Sequence, residues 1–242
     1  MGWPVIDGQA TREKMQPPEG QDSRVQKFFT DRARLYDAIF LGLFRYGDGL
    51  RAFFWRTRYL RSEMKILDAG CGSGAVTRAM YAVAWERGLW QVVFHGFDLT
   101  PAMLDRFREW IAAKRARGIE LSEASVQRLD SLPGEWKDYY LIVSSGMLEY
   151  LPRNELSKAL LGLRRLLKPE GALLVFITRR NLITRWLIQA WWKTTAYKRD
   201  EMLREFKNAG FPSVRFEKFP FPFTPFNLWG LVIEGRNFGY VR

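Results

Sequence analysis

Two hydrophobic patterns divide the chain. Between Arg24 and Arg61 the apolar residues recur mostly at helical spacing, with a break around Gly47-Asp48-Gly49, which predicts two or three helices. Beyond residue 61, short apolar runs alternate with further helical stretches. Residues 1–23 follow neither pattern and carry Pro17-Pro18, so we predict a loose N-terminal tail.

The alternating part of the chain predicts a sheet covered by helices. Its short apolar runs predict strands at residues 65–69, 92–97, 140–144, 172–178, 213–219 and 228–234. Helical spacing predicts helices at residues 75–87, 100–117, 155–167 and 200–209. Such alternation is typical of a doubly wound α/β fold with a mostly parallel sheet, and the last two strands predict a C-terminal antiparallel hairpin.

These patterns also predict the domain organisation. The tail at 1–23 is followed by an N-terminal helical cap or lid at 24–61 and an α/β domain at 62–242. A helical insertion is predicted at about 179–198, because its apolar residues share one wide face. These residues are Leu182, Ile183, Trp186, Leu187, Ala190 and Trp191.

Composition narrows the function classes. The formal net charge is +12, and between Arg24 and Arg61 nine Lys and Arg face only three Asp, interleaved with aromatic residues. Such a surface attracts nucleic acid, anionic lipid or an acidic substrate, although a solvated basic helix face explains it equally well. One cysteine and one histidine disfavour a disulfide or a metal site, so we predict no metal. The chain has neither a signal pattern nor an apolar run of bilayer length, which predicts a cytoplasmic protein.

The segment after the first predicted strand is the candidate ligand loop. It reads Asp68-Ala69-Gly70-Cys71-Gly72-Ser73-Gly74, at the strand end where open α/β sheets bind ligands. Its Gly-x-Gly-x-Gly spacing differs from the dinucleotide motif, and Asp68 could meet a ligand ammonium. Asp98, at the end of the next strand, stands where a ribose-hydroxyl acceptor is expected. A ligand with a carboxylate, an ammonium and a ribose but no phosphate is S-adenosylmethionine (SAM).

Five ordered segments then resemble the class I SAM-dependent methyltransferases. They are residues 66–74, 96–104, 126–133, 139–152 and 166–176, and the resemblance extends from about Arg24 to the C-terminus. It implies a seven-stranded sheet and a cofactor site. The residues that this family would use for SAM are Asp68, Gly70, Cys71, Gly72, Gly74, Thr77, Asp98, Leu99, Met103, Leu129, Asp130 and Ser144.

The resemblance assigns roles within this set. Asp68 and the glycines would hold the methionine end, and Leu99 and Met103 would flank the adenine. Leu129 and Asp130 would bind the adenine edge, because Arg128 replaces an acid that many relatives carry. Cys71 would fill a small space beside the cofactor. Ser144 would lie beneath the sulfonium.

The methyl acceptor is predicted less sharply. Residues 27–37 resemble the opening of the ubiquinone and menaquinone biosynthesis methyltransferases and of the bacterial phosphatidylethanolamine methyltransferases, where this segment forms a lid. The resemblance implies that Tyr36 lies near the cofactor, although it could simply pack the cap onto the sheet. Tyr150 replaces the histidine of many relatives, and Tyr36 and Tyr150 are our candidate catalytic residues.

Trp beside Lys and Arg in the insertion is typical of a membrane interface, although packing on the core or on a second subunit explains it equally well. We therefore predict a small-molecule or lipid-like acceptor, such as a quinone, lipid or natural product. We also predict contact with an anionic membrane surface at the inner face. The sequence leaves the oligomeric state open.

Two other functions fit part of the sequence. An RNA methyltransferase could use the basic surface, although no Asn/Asp-Pro-Pro-Tyr signature follows the fourth predicted strand, so nucleic acid is disfavoured. A non-catalytic partner protein could keep the cofactor fold. Steep salt dependence on RNA would favour the first alternative, and failure to bind SAM would favour the second.

Overall fold

The computed structural model describes residues 45–180 and 195–238. The predicted tail, most of the predicted cap with Tyr36, and most of the predicted insertion lie outside these ranges. Within them, no helix combines the length and the apolar character that crossing a membrane requires.

Seven strands and six helices make up the described chain. The strands are β1 (Lys65–Ala69), β2 (Val93–Asp98), β3 (Ile119–Glu123), β4 (Tyr139–Ser145), β5 (Leu167–Thr178), β6 (Ser213–Glu217) and β7 (Gly230–Arg236). The helices are α1 (Tyr46–Arg56), α2 (Ala75–Glu86), α3 (Pro101–Lys114), α4 (Leu156–Arg165), α5 (Arg199–Asn208) and the short α6 (Phe226–Trp229). Three short 3-10 turns lie at Leu129–Ser131, Leu148–Tyr150 and Arg153–Glu155.

All seven strands form one sheet, in the order β3-β2-β1-β4-β5-β7-β6. The first five strands are parallel, whereas β7 runs antiparallel to both β5 and β6. This arrangement confirms the predicted fold class, including its C-terminal antiparallel strands. The strand order reverses between β1 and β4, and the crevice at their carboxyl ends is where such sheets bind ligands.

The core lies on both faces of the sheet. Alternate residues along the central strands point to opposite faces, as in Ile66 and Leu67 of β1. One face is covered by α4 and α5, and the other by α1 and α2. Strands that are buried on both faces carry the near-continuous apolar runs from which they were predicted.

The helix α1 begins at Tyr46, directly after the left-handed Arg45, so Gly47-Asp48-Gly49 lie in its first turn. The part of the predicted cap before residue 45 lies outside the described ranges. Two local predictions were wrong. The edge strand β3 was missed because its Ile-Glu-Leu-Ser-Glu sequence is only half-buried. The strand β5 begins at Leu167 rather than at residue 172, since Leu167 pairs with Tyr139 across an irregularity in the β4–β5 register.

Candidate cofactor site

The glycine loop joins β1 to α2 at the carboxyl edge of the sheet. Gly70, Gly72 and Gly74 all adopt left-handed backbone conformations, with φ values of 73°, 52° and 91°. Only glycine adopts this region without strain, so the sequence permits a turn that other residues would resist. A side chain at Gly70 would overlap Met147, and one at Gly74 would overlap Phe107.

Asp68 lies buried directly before this loop. Its Oδ2 accepts hydrogen bonds from the Thr77 backbone N–H at 3.1 Å and from the Thr77 hydroxyl at 2.7 Å. Its Oδ1 has no hydrogen-bond partner in the described structure. Burial raises the pKa of the Asp68 carboxyl to about 7, against the opposing effect of the Thr77 hydrogen bonds. The site therefore contains a buried carboxylate oxygen with an unused acceptor.

Asp98 connects the end of β2 to the loop. Its Oδ2 accepts the Gly72 backbone N–H at 2.8 Å, and its Oδ1 accepts the Thr100 backbone N–H at the same distance. Burial raises the pKa of this carboxyl, while the hydrogen bonds oppose that rise. A carboxylate has about four acceptor positions, so Asp98 keeps capacity for ligand hydroxyl groups.

An open cavity lies beside the loop. Its wall comes from the loop, from the ends of β2, β3 and β4, and from the turn after β4. The lining residues are Gly70, Gly72, Phe97, Asp98, Leu99, Met103, Ala124, Ser125, Val126, Gln127, Ser145, Gly146, Met147, Tyr150, Leu151 and Pro152. Among them Asp98 is the one charged residue, and most of the others are apolar.

The structure brings part of the predicted cofactor set to this cavity. Gly70, Gly72, Asp98, Leu99 and Met103 line it. Asp68 and Thr77 form a hydrogen-bonded pair outside the lining, and Gly74 precedes α2 against Phe107. These positions place a carboxylate at the ends of two neighbouring strands, on either side of one turn.

Four further predicted cofactor residues also lie outside the lining. The Cys71 side chain packs with Leu104 and Phe107 beneath α3, because the loop turns it away from the cavity. Leu129 packs against Gly162 of α4, and Asp130 is exposed, so Ser125, Val126 and Gln127 supply the wall there instead. Ser144 is buried with an unpartnered hydroxyl, whereas the next residue, Ser145, faces the cavity.

Tyr46 was missed by the sequence reasoning, which singled out Tyr36. Its hydroxyl hydrogen-bonds the Ser145 hydroxyl at 2.9 Å, joining α1 to the cavity wall. Burial raises the pKa of the Tyr46 phenol, and the carboxylates of Glu149 and Asp68 raise it further. Tyr46 was one of many aromatic residues in the cap region, and only the fold brings it to Ser145. Tyr150, the other predicted catalytic residue, lines the cavity.

The described residues offer no cluster of three or more His, Cys, Asp or Glu side chains that could hold a metal ion. The polar groups around the cavity are instead carboxylates, hydroxyls, an amide and the backbone of the loop. This set suits an organic ligand that carries hydroxyl and ammonium donors.

Comparisons with known proteins point to one family. Residues 66–171 match the family model described as Methyltransferase domain. A carboxy-S-adenosyl-L-methionine synthase from Stutzerimonas stutzeri (strain A1501) is 30% identical over 119 residues, which are 49% of this chain and 47% of that protein. The chain therefore matches about half the length of this curated relative.

Solved structures share the fold at low identity. The magnesium protoporphyrin IX methyltransferase of Synechocystis PCC 6803, crystallised with bound SAM, has a TM-score of 0.64 and 16% identity. That match covers 91% of this chain and 99% of the other. Phosphoethanolamine N-methyltransferase 2 of Haemonchus contortus, in complex with S-adenosyl-L-methionine, has a TM-score of 0.57 and 17% identity, covering 72% of this chain and 38% of that one.

Proposed function

We propose that residues 66–171 form a class I SAM-dependent methyltransferase domain and that the protein transfers the methyl group of SAM to a small, hydrophobic acceptor. The observation that carries this proposal is the pair of aspartates at neighbouring strand ends, on either side of a glycine turn that opens onto one cavity. Quinone-like, lipid-like and natural-product acceptors share the chemistry that we propose.

The residues fit the proposed cofactor. The Asp68 Oδ1 is a buried acceptor without a partner, suited to the ammonium of the methionine end. Asp98 would accept the ribose hydroxyls, and Leu99 and Met103 would pack on the adenine. Ser125, Val126 and Gln127 would replace Leu129 and Asp130 at the adenine edge, because they form the cavity wall there.

When bound, SAM supplies a methyl group already activated on a sulfonium. The chain has to hold the acceptor in line with that group and to exclude water, and such positioning contributes up to about 7–11 kcal/mol. Met147 packs over Gly70, while Leu151 and Pro152 form an apolar wall that limits water in the cavity.

Tyr46 would act through Ser145 rather than as a base. Burial makes its phenolate unfavourable, and its hydroxyl is hydrogen-bonded at 2.9 Å to the hydroxyl of Ser145, which lines the cavity. Its ring lies against Phe219 and Phe226, at centroid distances of 6.2 and 5.8 Å, so these aromatic residues pack behind the cavity wall at Ser145. The cavity lining itself is mostly apolar, which favours an acceptor with an apolar body.

Two measurements test the proposed function. Calorimetry should show one SAM bound per chain, and a chain that fails to bind SAM contradicts the proposal. The release of S-adenosylhomocysteine should then depend on hydrophobic phenols, quinols or lipids and should be absent with hydrophilic analogues. Transfer to RNA that falls steeply with salt, without transfer to any small acceptor, would show that the acceptor class is wrong.

A further inference from the structure

Exposed apolar side chains cluster on the segment between β6 and β7. We define the rim loop as residues 218–229, with the sequence Lys-Phe-Pro-Phe-Pro-Phe-Thr-Pro-Phe-Asn-Leu-Trp. Phe221 is 85% exposed, Leu228 58% and Trp229 40%. Several large apolar side chains exposed on one short segment mark a candidate interaction surface.

The rim loop holds a fixed shape while it exposes these residues. The Asn227 side chain accepts the Phe219 N–H at 2.9 Å and donates to the Phe219 carbonyl at 3.2 Å, which closes the loop on itself. Phe219 is buried against Phe53 and Phe176, and Phe226 packs against Tyr46. The hydrogen bonds of Asn227 and the packing of Phe219 and Phe226 therefore hold the loop in place, while Phe221 and Leu228 point into solvent and take no part in the core.

The rim loop lies beside the cavity. Gly230, directly after it, pairs with Thr178 at the carboxyl end of β5, on the same edge of the sheet as the glycine loop. Tyr46 links the two places, since its ring contacts Phe219 and its hydroxyl binds Ser145 in the cavity wall. The rim loop is therefore packed against Tyr46, the residue that holds Ser145 of the cavity wall.

The charge around the rim loop is positive. No Asp or Glu occurs between Lys218 and Leu231, and Lys218 itself begins this stretch. Arg179 donates a hydrogen bond to the Asn227 carbonyl, which places a second cation against the loop. A cationic border around protruding aromatic side chains complements an anionic lipid surface.

We propose that the rim loop docks the protein on an anionic lipid bilayer, with Phe221 and Leu228 inserted and the neighbouring cations at the headgroups. This inference rests on the proposed function, because a hydrophobic acceptor would then pass from the bilayer to the cavity. Leu228 favours lipid over nucleic acid as the partner, since an aliphatic side chain offers no face on which a base can stack.

A vesicle-binding experiment with matched variants tests the surface. The double variant Phe221→Ser, Leu228→Ser should bind vesicles of mixed phosphatidylcholine and phosphatidylglycerol at least about tenfold more weakly. The reason is that moving each apolar side chain from water into the bilayer is favourable, and serine loses that contribution. The matched control is Trp85→Ser with Trp90→Ser, two residues that are 78% and 62% exposed at the opposite edge of the sheet. This control should bind vesicles like the unchanged protein.

A labelling experiment locates the contact independently. Cys71 is the single cysteine and is buried, so an environment-sensitive dye attached to Phe221→Cys reports the introduced position. Its emission should shift to the blue with anionic vesicles, whereas the same dye on Trp85→Cys should stay unchanged.

Failure of the unchanged protein to bind anionic vesicles at low salt would overturn the proposal. So would a loss of binding confined to the Trp85 and Trp90 variant, or binding of single-stranded RNA in place of vesicles.

Calorimetry with SAM separates this inference from the proposed function. The rim-loop variant should keep the SAM affinity of the unchanged protein, because Phe221 and Leu228 lie outside the cavity lining. Vesicle binding without SAM binding would contradict the catalytic proposal and support the docking surface. SAM binding without vesicle binding would contradict the docking surface and leave the proposed function standing.

Discussion

The ends of β1 and β2 each place an aspartate beside the glycine loop, but their surroundings differ. Both oxygens of Asp98 accept a backbone N–H at 2.8 Å, one from Gly72 and one from Thr100. Asp68 uses one oxygen for both hydrogen bonds from Thr77, and its other oxygen has no partner. The backbone thus fixes the carboxylate at the end of β2 from both sides, whereas the one at the end of β1 retains an unused buried acceptor.

This difference separates two tasks within one site. Asp98 lines the cavity and at the same time holds Gly72, so its carboxylate shapes the loop as well as offering acceptor positions to a ligand. Asp68 lies behind the loop, where burial makes its charge unfavourable until a cation approaches. Each task can be removed separately by substitution.

The largest effect is expected for Gly70→Ala. A Cβ at this position would lie 2.4 Å from Met147 Cγ, at a φ of +73°. The backbone strain and the overlap together should lower the free energy of unfolding by about 3 kcal/mol. SAM affinity, measured by calorimetry, should fall on the order of a hundredfold because the loop must shift.

Gly88→Ala is the matched control for this change. Gly88 has a similar φ of +65°, but nothing lies within 4 Å of its Cβ position and it is not part of the cavity lining. It should lose about 1 kcal/mol of stability through backbone strain alone and should keep its SAM affinity. Equal losses in the two variants would show that the Met147 contact does not shape the site.

A smaller effect is expected for Asp98→Asn. In either orientation, the new amide nitrogen faces a backbone N–H of Gly72 or Thr100, so one donor loses its acceptor. The lost hydrogen bonds should weaken SAM binding roughly thirtyfold, equivalent to about 2 kcal/mol. Asp105→Asn is the control, because Asp105 is exposed on α3 and pairs with Arg108. An Asp98→Asn variant with unchanged affinity would contradict the role assigned to the end of β2.

The fold could largely be predicted from the sequence, for a physical reason. The strands β1 and β2 lie in the middle of the sheet, and their buried apolar runs gave bounds within one residue of those observed. The edge strand β3 pairs with β2 alone and has no fully buried position, and it was missed. The other edge strand, β6, is also only part-buried and was predicted, so partial burial at an edge weakens the sequence pattern of a strand without always hiding it.

Within the candidate site, the residues that the sequence could predict are those at the carboxyl ends of the parallel strands. Asp68 and Asp98 were found because carboxyl ends of parallel strands meet at one edge of the sheet. The Tyr46–Ser145 contact joins residues 99 positions apart, and no local pattern encodes such a pairing. The cavity wall is formed by Ser125, Val126 and Gln127 rather than by the predicted Leu129 and Asp130, because Leu129 packs against Gly162 of α4.

The titration of Asp68 gives the smallest and most specific prediction. Its pKa of about 7 in the folded chain exceeds that of an unfolded aspartate, so the folded state binds this proton more tightly. The stability that this proton contributes is present at acid pH and is lost as the pH rises from about 4 to 7. The free energy of unfolding should therefore decrease over this window relative to that of Asp68→Asn.

SAM affinity should change in the opposite direction, rising roughly tenfold between pH 6 and pH 8, because the ionised carboxylate is the form that attracts an ammonium. Calorimetry across this window on both proteins measures the effect, and a rise of equal size in Asp68→Asn would assign it to another group, of which Asp98 is the neighbouring carboxyl.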